Sequence, residues 1–341
     1  MPAMAVSIQQ YVRPRRVSSG RNSALKLLSA LIALGMPLAL AGGELAATAD
    51  PIPPSRADVP YGPHPKQVLH FWKSPTATAD RPAPVVFFIH GGGWRSGSRL
   101  SRLADFLPEL LAGGLSVVSI EYRFIQEAIP AGVEPPVRAP LHDAARALQF
   151  VRSKAEAWEI DKERIAACGS SAGACSSLWL AFHDDLADPA SSDPVAREST
   201  RLATVAVFNA QTTLDPAQMR AWTPNSYYGG HAFGFVDKAQ TRDEQFAAFL
   251  AARDTLLPWI AEYSPYALVT ADDPPVYLFY KNVPVLGQPA KDPTHSANFG
   301  VMLAERLTEA GVGCELVYPG ASNVRHSTVA DYLVDALSRE P

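Results

Sequence analysis

The chain has 341 residues, of which 47% are hydrophobic and 19% are charged, and its formal net charge is −4. This much apolar sequence excludes an intrinsically disordered chain, and the slightly acidic balance gives no electrostatic reason to expect a nucleic-acid partner. The three cysteines are too few for a disulfide scaffold and lack the paired spacing of a zinc site. The composition therefore indicates a globular protein of enzyme size with enough apolar sequence for a large core.

The N-terminal segment has the pattern of a secretory signal. Residues 1–43 contain five basic residues and no acidic residue, and 27–40 is an apolar run followed by a small residue, Ala41. This run is shorter than the roughly 20 residues that a membrane-spanning helix needs. The pattern predicts a signal peptide over 1–41, no stable membrane span after its removal, and a secreted or periplasmic protein. A buried helix and an uncleaved anchor are the alternatives.

The remaining chain alternates predicted strands and helices. Residues 42–65 are rich in proline, alanine and aspartate and lack periodicity, which predicts a linker or an extended arm. Strands are predicted over 68–72, 85–90, 115–122, 164–168, 203–208, 275–280 and 314–318, and helices over 103–111, 141–158, 172–182, 299–310 and 329–337. This alternation of apolar strands with helices predicts an α/β domain over 66–341, with a mostly parallel central sheet covered by helices on both faces.

One segment interrupts the alternation. Residues 211–262 separate two predicted strands and are rich in aromatic side chains, among them Trp222, Tyr227, Tyr228, Phe233, Phe235 and Trp259. Such an insertion is suited to form a lid or a wall of a substrate site, because loops between strands of a rigid sheet carry many binding residues. Packing in the core is the alternative for each of these side chains.

A candidate nucleophile lies between a predicted strand and a predicted helix. Residues 169–173 read Gly-Ser-Ser-Ala-Gly, a G-x-S-x-G pattern that in this context forms a sharp turn and exposes its central serine above the sheet. The serine precedes a helix, whose N-terminal backbone dipoles favour a developing negative charge. The glycine spacing selects Ser171 rather than Ser170 as the nucleophile.

A second motif, HGGGW at 90–94, ends a predicted strand about 80 residues upstream of the serine. Its glycines let the backbone approach a reacting carbonyl group. The N–H groups of Gly92 and Gly93, together with that of Ala172, are therefore predicted to form an oxyanion hole. His90 precedes the loop that it would have to reach across, which favours a structural role over that of a catalytic base.

Five motifs follow one another along the chain: HGGGW at 90–94, EYR at 121–123, HDAARALQFVR at 142–152, IDKERIAACGSSAG at 160–173 and SPYALVTADDPPVYL at 264–278. In these motifs the chain resembles the α/β-hydrolase-fold esterases of the hormone-sensitive-lipase-like and polysaccharide acetyl or feruloyl esterase branch, over roughly 66–340. The resemblance implies the α/β-hydrolase fold, hydrolysis of carboxylic esters, and a triad in the chain order serine, acid, histidine. It also implies that Asp143 and Arg123 support the structure rather than the chemistry.

This chain order directs the search for the other two triad residues. The acid should follow the sixth predicted strand and the histidine the seventh. His326 is the only histidine after the seventh strand, and Asp292 is the only acidic residue between the two that lies in a predicted loop. The prediction is therefore Ser171 as nucleophile, His326 as base and Asp292 as acid. Residues 281–291 separate Asp292 from its strand by more than the family usually shows, and the nearby His295 is a candidate for the pocket wall.

No nucleotide-binding motif and no metal-ligand spacing occur in the sequence, so neither a cofactor nor a metal is predicted. The favoured function is that of a secreted serine esterase acting through an acyl-enzyme on a small-molecule or polysaccharide-linked ester, with acetyl or aromatic esters of polysaccharides suggested by the resemblance and by export. A serine peptidase or amidase on the same fold and a non-catalytic binding protein that retained the fold are the alternatives. The sequence leaves acyl length and oligomeric state open.

Overall fold

A computed structural model describes residues 52–338. Within this range eight strands form one sheet: β1 (Arg56–Pro60), β2 (Val68–Trp72), β3 (Ala83–Ile89), β4 (Ser116–Ile120), β5 (Ile160–Ser170), β6 (Thr204–Phe208), β7 (Val276–Phe279) and β8 (Cys314–Val317). Their order is β1-β2-β4-β3-β5-β6-β7-β8. Strand β2 is antiparallel to both neighbours, and every pair from β4 to β8 is parallel. The predicted mostly parallel sheet is confirmed.

The helices of the described range are α1 (Leu107–Ala112), α2 (Ile125–Ala128), α3 (Arg138–Arg152), α4 (Ala155–Trp158), α5 (Ala172–Phe182), α6 (Pro216–Trp222), α7 (Arg242–Ala251), α8 (Arg253–Tyr263), α9 (Pro265–Leu268), α10 (Asn298–Ala310) and α11 (Val329–Ser338). Three short 3-10 turns lie at Leu103–Asp105, Gly230–Phe233 and Pro293–His295. No helix among residues 52–338 is long and apolar enough to cross a membrane. The predicted signal peptide over 1–41 lies outside the described residues.

The central strand β3 shows how the sheet divides the core. All seven of its residues are buried. Val85, Phe87 and Ile89 belong to one hydrophobic core, and Val86 and Phe88 belong to a second. Because successive side chains of a strand point to opposite faces, the two cores lie on the two sides of the sheet. The first core includes side chains of α3, α5 and α10, and the second includes side chains of α1 and α11. Both faces are therefore covered, as predicted.

The arm predicted over 42–65 contributes a strand that the sequence analysis missed. Strand β1 pairs antiparallel with β2 at the edge of the sheet, and four of its five residues are exposed. An exposed edge strand needs no alternation of apolar residues and tolerates proline, so it has no strong sequence signal. The chain after it is anchored, because Tyr61 is buried and its hydroxyl donates a hydrogen bond to the Glu121 carbonyl at 2.6 Å. The domain therefore begins before Lys66.

The helix predicted over 141–158 is two helices, α3 and α4, separated by a turn at 153–154. The turn redirects the chain so that Trp158 stacks on Phe71 of β2, with ring centroids 4.6 Å apart. Burial of this large aromatic side chain favours the turn over a continuous helix.

The insertion over 211–262 folds into α6, α7, α8 and the 3-10 turn at Gly230–Phe233. Its aromatic side chains divide between two roles. Phe246 and Phe249 are almost fully buried in the first core. Tyr227 and Tyr228 line a cavity that also contains Ser171. The insertion is thus part of the core and also a wall of the site, whereas its opening and closing as a lid stays a prediction.

Candidate active site

Ser171 lies in the tight turn between β5 and α5, as the sequence predicted. Its backbone has φ 53° and ψ −121°, a conformation that residues other than glycine rarely adopt. Hydrogen bonds fix the turn, because Ser171 N–H donates to the Phe208 carbonyl at 3.0 Å and the Ser171 carbonyl accepts from Cys175 N–H at 3.0 Å. The strained turn lifts the hydroxyl out of the sheet at the first turn of α5.

The spacing of the glycines has a steric cause. A Cβ atom on Gly173 would lie 2.1 Å from the Ile89 carbonyl oxygen and 2.5 Å from that of His90, both backbone atoms at the end of β3. A Cβ atom on Gly169 would lie 2.5 Å from the Gly173 carbonyl oxygen. The turn therefore packs so closely against β3 that only glycine fits on either side of Ser171.

The hydroxyl of Ser171 is hydrogen-bonded to His295. Ser171 Oγ lies 2.9 Å from His295 Nε2, and His295 Nδ1 lies 2.8 Å from Asp292 Oδ2. Asp292 also caps the 3-10 turn, since its Oδ1 accepts a bond of 3.3 Å from His295 N–H, and Pro293 takes the first position of that turn. The structure thus joins Ser171, His295 and Asp292 in one hydrogen-bonded chain.

His326, which the sequence predicted as the base, does not take part in the hydrogen bonds that link Ser171, His295 and Asp292. That assignment is therefore wrong. Its Nδ1 lies 2.8 Å from Glu315 Oε2, its Nε2 lies 3.1 Å from Asp335 Oδ2, and its backbone N–H donates to Glu315 Oε1. The His326 carbonyl in turn accepts a bond from the Tyr277 hydroxyl at 2.9 Å. These contacts tie His326 to β8, α11 and β7. Both of its ring nitrogens are engaged by carboxylates, and neither is paired with Ser171.

The contacts of His326 explain why the pKa of Glu315 is lowered. Burial alone would raise the pKa of Glu315, but hydrogen bonds from the His326 backbone and ring and from the Arg325 backbone outweigh burial and lower that pKa. A histidine held between two carboxylates in this way stabilises the fold and leaves no ring nitrogen for a substrate. His326 is a structural residue in this geometry.

The sequence contained a signal for the histidine that was missed. Residues 292–295 read Asp-Pro-Thr-His, which places an N-capping residue, a proline at the first helical position and a histidine at the third. In such a short turn, the side chains of an aspartate and of a histidine three positions later lie on the same side of the turn and can contact each other. The pattern keeps the chain order of serine, acid and histidine, and it differs from the prediction only in placing the histidine before β8 instead of after it.

The loop after β3 approaches the serine from the other side. A Cβ atom on Gly91 would lie 3.3 Å from Ser171 Cβ, and Gly92 and Gly93 line a cavity with Ser171. Gly92 has φ 114°, and a Cβ atom there would lie 2.0 Å from the Ser96 carbonyl oxygen, so this position requires glycine. Within the described residues, the backbone N–H groups of Gly92, Gly93 and Ala172 donate no internal hydrogen bond. The structure therefore brings the three predicted oxyanion donors to the serine.

The predicted supporting residues are confirmed. His90 is fully buried, with Nε2 3.1 Å from Glu121 Oε1, and its carbonyl accepts a bond of 2.8 Å from the Tyr122 hydroxyl. Asp143 accepts hydrogen bonds from the Arg123 backbone at 2.9 Å and from its guanidinium at 2.6 Å. The hydrogen bond to Asp143 raises the pKa of Arg123. These buried contacts hold the HGGGW loop and the chain after β4 in place.

Two cavities meet at Ser171, Asp292 and His295. The first has a volume of about 850 Å³ and extends toward residues 281–291. The second, of about 500 Å³, extends beneath the insertion over 211–262. An ester placed with its carbonyl carbon at Ser171 therefore has room on both sides.

Among residues 52–338, no group of three histidine, cysteine or acidic side chains is arranged to hold a metal ion. The three cysteines are free thiols, and burial raises the pKa of Cys168 and of Cys175. Both lie beside the serine turn as small buried side chains and are unsuited to act as nucleophiles.

The BD-FAE family model matches residues 74–283. The chain belongs to the BD-FAE family. The matched range contains the glycine loop and Ser171, and it ends before Asp292 and His295. The part of the site that sequence reasoning misassigned thus lies outside the range that matches the BD-FAE model.

Two esterases of Mycobacterium tuberculosis are similar to this BD-FAE member over part of their length. The chain is 35% identical to Esterase LipC over 120 residues, which cover 35% of this chain and 27% of LipC. It is 30% identical over 144 residues to the probable carboxylic ester hydrolase LipM, covering 39% of this chain and 31% of LipM. The chain therefore spans less than a third of the length of either relative.

Solved structures share the fold of the BD-FAE chain. A truncated form of a carbohydrate esterase from gut microbiota superposes with a TM-score of 0.60 at 17% identity, covering 83% of this chain and 96% of that one. An acetyl ester-xyloside bifunctional hydrolase from Caldicellulosiruptor lactoaceticus superposes with a TM-score of 0.53 at 22% identity, covering 74% and 77%. The predicted α/β-hydrolase fold is confirmed.

Proposed function

We propose that the protein hydrolyses carboxylic esters through an acyl-enzyme formed on Ser171. The observation that carries this proposal is the hydrogen-bonded chain from Ser171 Oγ through both ring nitrogens of His295 to Asp292. This arrangement has the nucleophile, base and orienting acid of a serine hydrolase in the correct relation. Membership of the BD-FAE family and similarity to two esterases support the same reaction.

The first half of the reaction follows from these contacts. Ser171 Oγ attacks the ester carbonyl carbon and passes its proton to His295 Nε2. Asp292 accepts the hydrogen bond from His295 Nδ1–H and stabilises the imidazolium that forms. When the tetrahedral intermediate collapses, the bond to the alcohol oxygen breaks, and His295 returns the proton to that oxygen. The alcohol leaves, and the acyl group stays on Ser171.

The second half repeats the chemistry with water. His295 Nε2 takes a proton from a water molecule, whose oxygen attacks the acyl carbon, and the collapse of the second intermediate returns that proton to Ser171 Oγ. The carboxylic acid is released and the serine is regenerated. In both halves the negative oxygen receives hydrogen bonds from Gly92, Gly93 and Ala172, and one such donor contributes about 3–4 kcal/mol of transition-state stabilisation in other enzymes.

We propose acetyl or aromatic esters on polysaccharides as the substrate class, acted on outside the cytoplasm. The carbohydrate esterase and the acetyl ester-xyloside hydrolase among the structural neighbours support this class, and the signal pattern over 1–41 supports export. N-terminal sequencing of the mature protein from an expressing culture tests the export proposal. A mature chain that starts just after Ala41 is expected, and an intact N-terminus in the cytoplasmic fraction would contradict it.

The reaction is tested with nitrophenyl esters of acetate, butyrate and octanoate. The wild-type protein is expected to hydrolyse at least the shortest ester, and Ser171→Ala is expected to lose turnover while keeping its circular-dichroism spectrum. Ser170→Ala removes the neighbouring hydroxyl and serves as the matched variant. Equal losses in the two variants, or full activity of Ser171→Ala, would contradict the assignment of Ser171 as the nucleophile.

A further inference from the structure

The two cavities around Ser171 have an unusual charge distribution. Five cationic side chains line them: Arg95, Arg102, Arg242, Lys281 and Lys291. Within the described residues, none of the five is paired with a carboxylate. Of the residues between 52 and 338 that line the two cavities, Asp292 is the single carboxylate, and it is bonded to His295. Arg102 also faces Asp105 and Glu109 across a neighbouring cavity, so the positive charge of the cleft comes mainly from the other four cations.

The position of these four cations distinguishes them from ordinary surface charges. Arg95 and Arg242 line the second cavity, and Lys281 and Lys291 line the first, so positive charge lies on both sides of the nucleophile. The chain as a whole has a formal net charge of −4, so this positive potential is local to the cleft. A cleft of one charge sign concentrates ligands of the opposite sign and speeds their association.

Two buried polar groups line the second cavity. The Tyr228 hydroxyl and His231 Nε2 are buried, and within the described residues neither forms a hydrogen bond of normal geometry, although the Gly93 backbone lies close enough to His231 to oppose the lowering of its pKa. Both lie against the glycine loop, since a Cβ atom on Gly93 would be 3.7 Å from each. Burial, and to a smaller extent the charge of Arg95, lowers the pKa of His231 to about 3, so the ring is neutral at ordinary pH. An unpaired buried polar group is costly, and an oxygen-rich ligand would satisfy both.

We infer that the ester this protein cleaves is carried on an acidic polysaccharide that contains uronate residues. This inference rests on the proposed ester hydrolysis at Ser171. Carboxylates of the sugar chain contact Arg95 and Arg242 on one side of the nucleophile, and Lys281 and Lys291 on the other. A small ester with one carboxylate would use the cations of one cavity alone, whereas a polymer with regularly repeated carboxylates uses both. Oxygen atoms of the sugar bind the Tyr228 hydroxyl and the neutral His231 ring, which line the second cavity.

The two cavities differ in the type of cation that the proposed carboxylates meet: arginines line the second cavity, and Lys281 and Lys291 line the first. A guanidinium group binds a carboxylate through two parallel hydrogen bonds, so Arg95 and Arg242 are suited to fix a uronate in the second cavity. An ammonium group is a flexible point charge, so Lys281 and Lys291 are suited to attract the carboxylates of the sugar chain into the first cavity. All four side chains belong to exposed residues that solvent and a polymer can reach.

The test compares acetylated polygalacturonate with acetylated xylan, a largely neutral polymer, at matched acetyl content. We expect kcat/KM for acetate release to be at least about tenfold higher on the anionic polymer at low salt, and this ratio to shrink at about 0.5 M salt, where charges are screened. Arg242→Gln and Lys281→Gln are each expected to lower the ratio about threefold to tenfold. Arg81→Gln removes an exposed cation at the opposite end of β3 and should leave the ratio unchanged.

A binding measurement separates this inference from the proposed function. Calorimetric titration of Ser171→Ala with unesterified oligogalacturonate requires no turnover, and binding that is weakened in Ser171→Ala/Arg242→Gln supports the carboxylate sites. Equal acetate release from both polymers, without a salt effect and without oligogalacturonate binding, would overturn the inference while ester hydrolysis stands. If the wild-type protein shows no Ser171-dependent hydrolysis of any ester, including the neutral nitrophenyl acetate, the proposed function itself is overturned.

Discussion

His295 Nδ1 lies 2.8 Å from Asp292 Oδ2, and the two residues are only three positions apart in one 3-10 turn. The base and its orienting acid are therefore held beside each other by contacts within one short turn. The turn contacts the serine loop through His295, whose Nε2 faces Ser171 Oγ. The position of this turn within the domain thus decides whether the three groups align.

Replacing Asp292 by asparagine should slow the reaction strongly. The new side chain would still cap the turn, but its neutral amide would stabilise the imidazolium poorly and could hold His295 in the wrong tautomer. We expect kcat to fall by about two to four orders of magnitude, as such changes do in serine hydrolases. Asp272→Asn alters an exposed carboxylate before β7 and serves as the control. Steady-state kinetics that show similar small effects for both would remove Asp292 from the site.

Gln211 positions the turn. Its side chain is fully buried, and its Nε2 donates a bond of 2.6 Å to the Thr294 carbonyl, between the acid and the base. Gln211→Leu removes this contact, and we expect kcat to fall about threefold to thirtyfold with KM changed less, because a displaced base affects the chemical step. Gln288→Leu, on an exposed loop, is the control. A larger change in KM than in kcat would indicate a role in substrate binding instead.

Replacing a glycine of the serine turn should lower the free energy of unfolding. Gly173→Ala would place Cβ 2.1 Å from a backbone oxygen of β3, so the turn or the strand must move. We expect the free energy of unfolding to fall by about 3 kcal/mol or more, or the protein to fail to fold. Gly313→Ala meets no atom within 4 Å and should change stability by less than about 1 kcal/mol. Urea unfolding that shows equal stability for the two variants would contradict the packing described for the turn.

The pair between His326 and Glu315 makes stability depend on pH. Hydrogen bonds lower the pKa of Glu315 in the folded protein below its usual value of 4.5. The stabilisation from the carboxylate is therefore complete above about pH 4.5 and is lost as the pH falls through the lower folded pKa. Glu315→Gln has no such titration, so the difference in unfolding free energy between wild type and variant should narrow as the pH falls from 6 to about 3.5. Parallel stability curves would contradict this.

The sequence predicted most reliably those parts of the site that a short motif specifies. The turn at Ser171 and the loop at Gly92 were predicted correctly, because the glycines that each requires form a recognisable motif within a few residues, even though the atoms that require Gly173 lie at the end of β3. Asp292 was found because it is an acidic residue in a loop after the sixth predicted strand. The motifs at Ser171 and Gly92 can therefore be recognised in short stretches of sequence, whereas Asp292 was found from its place in the chain order.

The assignment of His326 failed because it required the histidine to follow the seventh predicted strand. His295 precedes that strand, although Ser171, Asp292 and His295 keep the expected chain order of serine, acid and histidine. The path of residues 281–291 is held by distant partners, such as the buried Asn298, whose amide donates to the Trp222 carbonyl at 2.8 Å and whose Oδ1 accepts from Val285 N–H. No local pattern shows that this path brings His295 to the serine. The carboxylates that engage His326 come from β8 and α11, the two elements on either side of its loop.

The central claim is that Ser171 is activated by His295 and not by His326. The most direct measurement is the rate at which an organophosphonate reagent modifies the protein, followed by intact mass and by peptide mapping. We predict a single adduct on Ser171, formed more than about a hundredfold more slowly in His295→Ala and at close to the wild-type rate in His326→Gln. An adduct elsewhere, or a rate that falls in His326→Gln and not in His295→Ala, would contradict the account.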